Sequence, residues 1–266
     1  ASQRPFSGRV LTLGRQHIYF SYDLLIKTVE EFGVELSDPG EITLHHKPEL
    51  AAAGYISDDV LFRSLGFCES KALDYSDYEF AHYIFDLNSS EVPKHLLEAF
   101  DVIIDGGTIE HVFHIPNVLN NIYKMLRQSG RVIHLSPSSN HIDHGFYMFS
   151  PTLFGDFYTT NKFEINSFQL FRYTPRHDID PWEISDYVPG CLYKVSSGGL
   201  DDGMYGICVI ATKTKDSTGD IIPQQGSYIN IWKTADRLKN QKETSKSPVS
   251  DYSKLRVIKD AVKRFP

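Results

Sequence analysis

Apolar positions along the chain follow two periods. Short continuous runs read as buried strands, and runs with apolar positions three and four apart read as helices. "RVLTLG" (9–14) predicts a strand that ends in glycine. "SYDLLIKTVEEFG" (21–33) predicts a helix with Leu24, Leu25, Thr28, Val29 and Phe32 at helical spacing, capped by Ser21 and Gly33. "DPGE" is a turn, and "DDVLFRSLGF" predicts a second helix ending near Gly66. "KALDYSD" (71–77) and "AHYIFDLN" (81–88) predict short strands ending in Asp74 and Asp86, and "PKHLLEAF" (93–100) a short helix. "FDVIID", "IPNVLNNIYKMLRQ" and "RVIHLSP" then predict strand, helix and strand. Pro116 suits the first turn of that helix, where a missing N–H costs nothing. "SPTLFGDFYTTN" (150–161) predicts a helix with Ser150 as cap and Pro151 first. "FEINSFQLFRY" (163–173) and "MYGICVIATK" (204–213) predict two long strands.

Strands alternating with helices imply parallel βαβ units with right-handed crossovers. Two successive strands at the end imply an antiparallel edge hairpin. The expected fold is α/β: a doubly wound, mostly parallel sheet of seven strands, spanning residues 1–214. Two insertions interrupt it, at about 36–66 and at 174–203. The second is rich in Pro, Gly and Asp, and a loop that long is usually functional or a lid. Residues 215–266 read as a linker and a basic tail, in which Lys and Arg outnumber Asp and Glu beyond Lys233.

Composition narrows the function classes. The 266 residues are 41% hydrophobic and 23% charged, as in ordinary globular chains, and the net charge of -7 offers no general field for nucleic acid. Cys68, Cys191 and Cys208 form no CxxC pair, which fits a reducing, cytoplasmic setting. No leader is visible, and no apolar run approaches the roughly 20 residues that span a bilayer, so no membrane partner is expected.

The polar residues collect at strand ends. Gly14 follows the first strand, Asp74 the second, Asp86 the third and Asp105 the fourth. In open parallel sheets ligands bind there, where strand order reverses. Each acid on its own is also a common helix cap. With "FDVIIDGGTIEHVFHIPNVLNNIYKMLRQSGRVIHLSP", "ALDYSD" and "FDLN" in this order, the chain resembles the class I S-adenosylmethionine-dependent methyltransferases over roughly residues 8–213. The resemblance implies a Rossmann-like sheet, S-adenosylmethionine as cofactor and a small-molecule acceptor. It implies that Asp74 binds ribose, Tyr75 flanks the adenine, and Asp86 and Leu87 read its edge. Asp105 and Gly106 would lie near the methionine moiety. The chain departs from the family at the first loop. In place of E/D-x-G-x-G-x-G stands "LTLGRQHIYF", with only Gly14, and Thr12 occupies the usual acid position. Arg15 or Gln16 would hold the methionine carboxylate instead, Arg15 by paired charge-assisted bonds.

Methyl transfer to oxygen needs an aligned nucleophile and a base to take its proton. His111 and His114 follow the fourth strand; His141 and His144 follow the fifth, in "SPSSNHIDHGFYMFSP". His141 or His144 is the expected base, with His111 third; a histidine at the His111 position more often braces a helix start, and His114 reads as a surface or packing residue. Glu110, His111, His141, Asp143 and His144 offer mixed N/O ligands. Some relatives bind magnesium through Glu-x-x-Glu-His, but Gly107 stands in place of the first glutamate, so no metal is expected. Asp178, Asp180, Glu183 and Asp186 make the second insertion acidic. The other function class is a non-catalytic binding or scaffold module on the same fold, motivated by the single-glycine first loop.

Overall fold

The computed structural model describes residues 6–176 and 179–244; Asp178 and the basic tail beyond Thr244 lie outside the described residues. The chain parts into two compact units, Ala1–Pro223 and Gln224–Pro266. In chain order the first holds β1 (Arg9–Leu13), α1 (Tyr22–Glu31), α2 (Pro48–Ala52), α3 (Asp58–Ser64), β2 (Glu69–Asp74), β3 (Tyr83–Ile84) and β4 (Phe100–Asp105). There follow α4 (Ile115–Met125), β5 (Leu126–Ser139), α5 (Pro151–Thr160), β6 (Glu164–Tyr173), β7 (Glu183–Asp186) and β8 (Met204–Thr212). The second unit is described by α6 (Gly226–Thr244), which exposes Tyr228, Ile231 and Trp232. No helix among the described residues is long and apolar enough to cross a membrane.

The sheet runs β3-β2-β1-β4-β5-β8-β6-β7. The first five strands pair in parallel and the last three join antiparallel. This is the Rossmann-like, doubly wound α/β sheet with an antiparallel edge, carrying eight strands among the described residues where seven were expected. The additional strand is β7, inside the 174–203 insertion. It pairs with the end of β6, Leu170 opposite Ser185, and all its residues are exposed. Its sequence is mostly polar and follows Pro181, so no apolar alternation marks it.

Local chemistry sets the element ends. The Ser21, Ser57 and Ser150 hydroxyls accept from backbone N–H groups at the starts of α1, α3 and α5. His114 caps α4 in the same way, accepting from the Asn117 N–H through Nδ1 at 3.4 Å. The helix expected over 93–100 is a single 3-10 turn, Lys94–Leu96, because Phe100 is taken into β4.

The period of two sorts the strands' side chains between two layers. Leu11, Leu13, Ile103 and Val132 pack with Val118, Leu119 and Ile122 of α4 and with Phe154 and Tyr158 of α5. Val10 and Val102 pack on the other layer with Phe62 and Phe67. Strand order reverses between β1 and β4, so a cleft is expected beyond their carboxyl ends.

Candidate functional site

A cleft of about 660 Å³ opens at that switch point. Gly14, Arg15 and Gln16 line it after β1, Leu73, Asp74 and Tyr75 after β2, and Phe85, Asp86 and Leu87 after β3. Gly106, Gly107 and His111 complete it beyond β4. Asp74 and Asp86 are each held by their own loop, whereas Glu79, which also lines the cleft, is held by His17 and Lys47. Asp74 accepts from the Tyr75 N–H at 2.6 Å, and Asp86 accepts from the Asn88 N–H at 2.9 Å. Two glycines permit the close approach of β1 and β4. A Cβ on Gly14, whose φ is +70°, would meet the Thr108 hydroxyl at 2.7 Å, and one on Gly106 would meet Gln16 Oε1 at 2.3 Å.

Two of the residues expected around the cofactor's methionine end are already engaged. Asp105 is fully buried and does not line the cleft. Its Oδ1 accepts from the Thr108 and Ile109 N–H groups at 3.1 and 3.2 Å, and its Oδ2 meets His134 Nδ1 at 2.8 Å and the Ser136 hydroxyl at 3.2 Å. It fastens the turn after β4 to β5 instead of facing a ligand. Arg15 reaches the cleft, but its guanidinium forks onto the buried Asp58, with Nη2 2.8 Å from Oδ1 and Nε 2.7 Å from Oδ2. Its charge is already neutralised.

The turn that Asp105 fastens carries Glu110 and His111, in the 3-10 helix Ile109–His111. Ile109 is fully buried in the core, and Glu110 is buried as well. Glu110 is 1% exposed and neither of its carboxylate oxygens has a hydrogen-bond partner. Burial pushes its pKa up to about 7. The loop after β5 returns onto this turn: the Phe146 N–H donates to the Glu110 carbonyl at 2.9 Å. Gly145 makes the approach possible, since a Cβ there would meet that carbonyl at 2.9 Å. His144 Nε2 thereby comes 3.5 Å from Glu110 Oε1, and His111 Nε2 lies 3.9 Å from the same atom.

The expected histidines are therefore neighbours, with ring centroids 5.1 Å apart for His111 and His144 and 5.8 Å for His144 and His141. His111 lines the cleft, and the other two stand beyond it. His141 Nε2 lies 3.4 Å from the Tyr173 hydroxyl. Desolvation, then the neighbouring His144, lower the pKa values of His111 and His141.

A second histidine cluster was not anticipated from the sequence. His17, in the first loop, meets His45 of the 36–66 segment, Nδ1 to Nε2 at 3.2 Å, and His45 stacks on His46. Glu79 completes the group, 3.1 Å from His17 Nε2 and 2.7 Å from Lys47 Nζ. "LHHK" is its only local signal, and the partners come from three separate loops.

No family model matches the chain, and no curated protein matches it. Solved structures do. YcgJ from Bacillus subtilis is 11% identical with a TM-score of 0.44, over 80% of this chain and 95% of that one. A SAM-dependent methyltransferase from Archaeoglobus fulgidus is 12% identical with a TM-score of 0.40, over 78% and 86%. Phosphoethanolamine N-methyltransferase 2 from Haemonchus contortus, solved with S-adenosylhomocysteine, is 12% identical with a TM-score of 0.42. That match covers 80% of this chain but only 51% of the Haemonchus protein. Likeness at this level assigns no residue and no activity.

Proposed function

We propose that this chain is a class I S-adenosylmethionine-dependent methyltransferase that methylates an oxygen of a small-molecule acceptor, such as a sugar or secondary metabolite. The observation that carries the reading is one cleft at the switch point. Every residue that the sequence nominated for the cofactor lines it, except Asp105.

The residues present fit the cofactor. The cleft lies within the usual size of a small-molecule site, roughly 300–1,000 Å³. Asp74, at the end of β2, suits a ribose diol by bidentate hydrogen bonding. Asp86 and Leu87 suit the polar and apolar parts of an adenine edge, and the exposed Tyr75 ring can cover its face. With Arg15 committed to Asp58 and the Gln16 amide N–H donating to the Leu13 and Gly14 carbonyls, Gln16 Oε1 is left at the methionine end, an acceptor suited to the cofactor's ammonium. When bound, the cofactor supplies an electrophilic methyl on a sulfonium. The chain's own task is to align the acceptor beyond Gly106 and His111 and to remove its proton. His141, His144 and His111 are grouped there, and His141 and His111 stay largely uncharged at neutral pH, as a base must. Cys68, Cys191 and Cys208 are all free, which suits a cytoplasmic protein.

Isothermal titration with S-adenosylhomocysteine tests this reading. Micromolar binding that Asp74→Ala weakens at least about tenfold, or roughly 1.4 kcal/mol, is the expected result. No binding by the unaltered chain would favour the non-catalytic module, which the neutralised Arg15 and single-glycine loop also fit.

A further inference from the structure

We propose that Glu110, His111 and His144 bind a single divalent transition-metal ion, of the class of Zn²⁺ or Mn²⁺, at the His111 end of the cleft. Their donor atoms, one from each residue, lie within 4.8 Å of one another. The anchor is Glu110, a carboxylate 1% exposed with both oxygens unpartnered. A carboxylate in that setting is costly unless a cation or hydrogen bonds meet it. What faces it is two imidazole nitrogens, at 3.5 and 3.9 Å from one carboxylate oxygen. A tetrahedral ion with bonds of about 2.0–2.1 Å needs donors about 3.3 Å apart. Small rotations of the two rings supply the difference, since His111 and His144 are half exposed. Their exposed sides also leave coordination positions open to water or an acceptor oxygen. Two imidazoles and one carboxylate favour a first-row transition ion over Mg²⁺ or Ca²⁺, which prefer oxygen ligands.

The backbone is built to hold this convergence. Asp105 fixes the turn through the Thr108 and Ile109 N–H groups. Phe146 and Tyr147 donate to the Glu110 carbonyl at 2.9 and 3.3 Å, which pins the His144 loop to it. Asn140 and Asp143 adopt φ of +61° and +69° to make that loop, a conformation side chains rarely take.

The other histidine cluster, His17, His45 and His46, also brings donor atoms within 4.8 Å of one another, with His46 Nε2 buried and unpartnered, but its other two rings are committed. His45 Nδ1 accepts from the Lys47 N–H at 3.0 Å, so its ring proton sits on Nε2 and donates to His17 Nδ1. The His17 Nε2–H then donates to Glu79. The chain of hydrogen bonds uses the lone pairs, and the Lys47 ammonium stands 3.1 Å from His17 Nε2. The two histidines that a cation would need beside His46 are thus engaged with each other and with Glu79, and an ammonium already stands among them.

The site shares His111 and His144 with the proposed base set, so with the ion bound His141 is the base that remains; metal uptake and cofactor binding are read separately. Chelator-treated full-length protein is titrated with Co²⁺, followed by its visible d–d absorption. Saturable uptake of a single ion is expected, displaced by Zn²⁺ but not by excess Mg²⁺. Glu110→Gln and His144→Ala should each weaken it at least about tenfold, or roughly 1.4 kcal/mol. His144 is half exposed, so its loss spares the fold, and circular dichroism checks both variants. Absence of saturable uptake would overturn the site. So would uptake unchanged in both variants, or uptake lost in His17→Ala instead. S-adenosylhomocysteine titration of the same samples scores the cofactor reading independently.

Discussion

Asp105 and His134 face each other across β4 and β5, Oδ2 to Nδ1 at 2.8 Å, and neither reaches solvent. The Tyr158 hydroxyl closes the far side at 2.6 Å from His134 Nε2. Burial, then the Asp105 charge, hold the tyrosine pKa well above its ordinary value, so it donates its proton to the ring. The ring proton therefore sits on Nδ1 and points at the carboxylate. This chain of buried groups ties β4, β5 and α5 together and fixes the turn that presents Glu110 and His111.

Removing Asp105 should therefore read as a loss of stability. Asp105→Ala leaves His134, Ser136 and two backbone N–H groups buried without an acceptor. The expected cost is about 3–5 kcal/mol, measured by urea unfolding. A cost below about 1 kcal/mol would show that the network contributes little.

Gly106→Ala should do the opposite. Its Cβ would meet Gln16 Oε1 at 2.3 Å, the end of a flexible side chain that can swing into the cleft. S-adenosylhomocysteine affinity is expected to fall at least about tenfold while the unfolding midpoint hardly moves. Unchanged affinity would remove Gln16 and Gly106 from the cofactor site.

Glu110 predicts a pH dependence in metal-free protein. Its folded pKa, about 7, lies above the ordinary 4.5. The folded chain then holds a proton that the unfolded chain gives up. Stability is full below the ordinary pKa and falls as pH rises through about 7, by up to about 3 kcal/mol. Glu110→Gln removes the buried charge. It should match the natural chain near about pH 5 and exceed it near about pH 8, compared by urea unfolding in chelator. Equal stabilities at both would contradict an unpartnered buried carboxylate.

His141 predicts a rate effect. Desolvation, then His144, lower its pKa below the ordinary 6.5, so it is ready to accept a proton at neutral pH. With an acceptor in hand, His141→Ala should lower kcat by about 10²–10⁴-fold and leave S-adenosylhomocysteine affinity unchanged. Full rates in both His141→Ala and His144→Ala, with affinity intact, would exclude them as bases.

The sheet was legible because its strands are buried on both faces. Leu11 and Val10 serve opposite layers, so β1 reads as one apolar run, as do β4 and β8. The Ser21 and Ser150 caps marked helix starts for local reasons; the Ser57 cap of α3 was not read from the sequence. β7 was hidden because an exposed edge strand needs no apolar face, and "PKHLLEAF" misled because helical spacing in so short a segment yields to the strand that follows. The cleft was legible because strand ends are sequence features. The Asp105–His134 pair was not. His134 sits inside an apolar strand run, 29 residues from its partner, and only register brings them together. The Glu110 site needed both Gly145 and the return of a loop, neither of which has a sequence period.

Arg15 allows a decision between two roles. As a ligand for the cofactor's carboxylate it would need a free guanidinium, yet both of its forks meet Asp58, and Nη1 donates to the Phe80 carbonyl at 3.3 Å. Both side chains are largely buried, at 15% and 9% exposed, so the pair is a strut in the cleft wall. Truncating one member leaves the other charge uncompensated, and Arg15→Met should cost about 3 kcal/mol or more in urea unfolding. Adding Asp58→Asn should recover part of that loss, because the two residues share one interaction and their effects cannot add. At a temperature where Arg15→Met stays folded, S-adenosylhomocysteine affinity should change by less than about threefold. A loss beyond about tenfold, with the fold intact, would mean that the arginine leaves Asp58 to grip the ligand. The methionine carboxylate would then have the bidentate partner that the sequence first suggested.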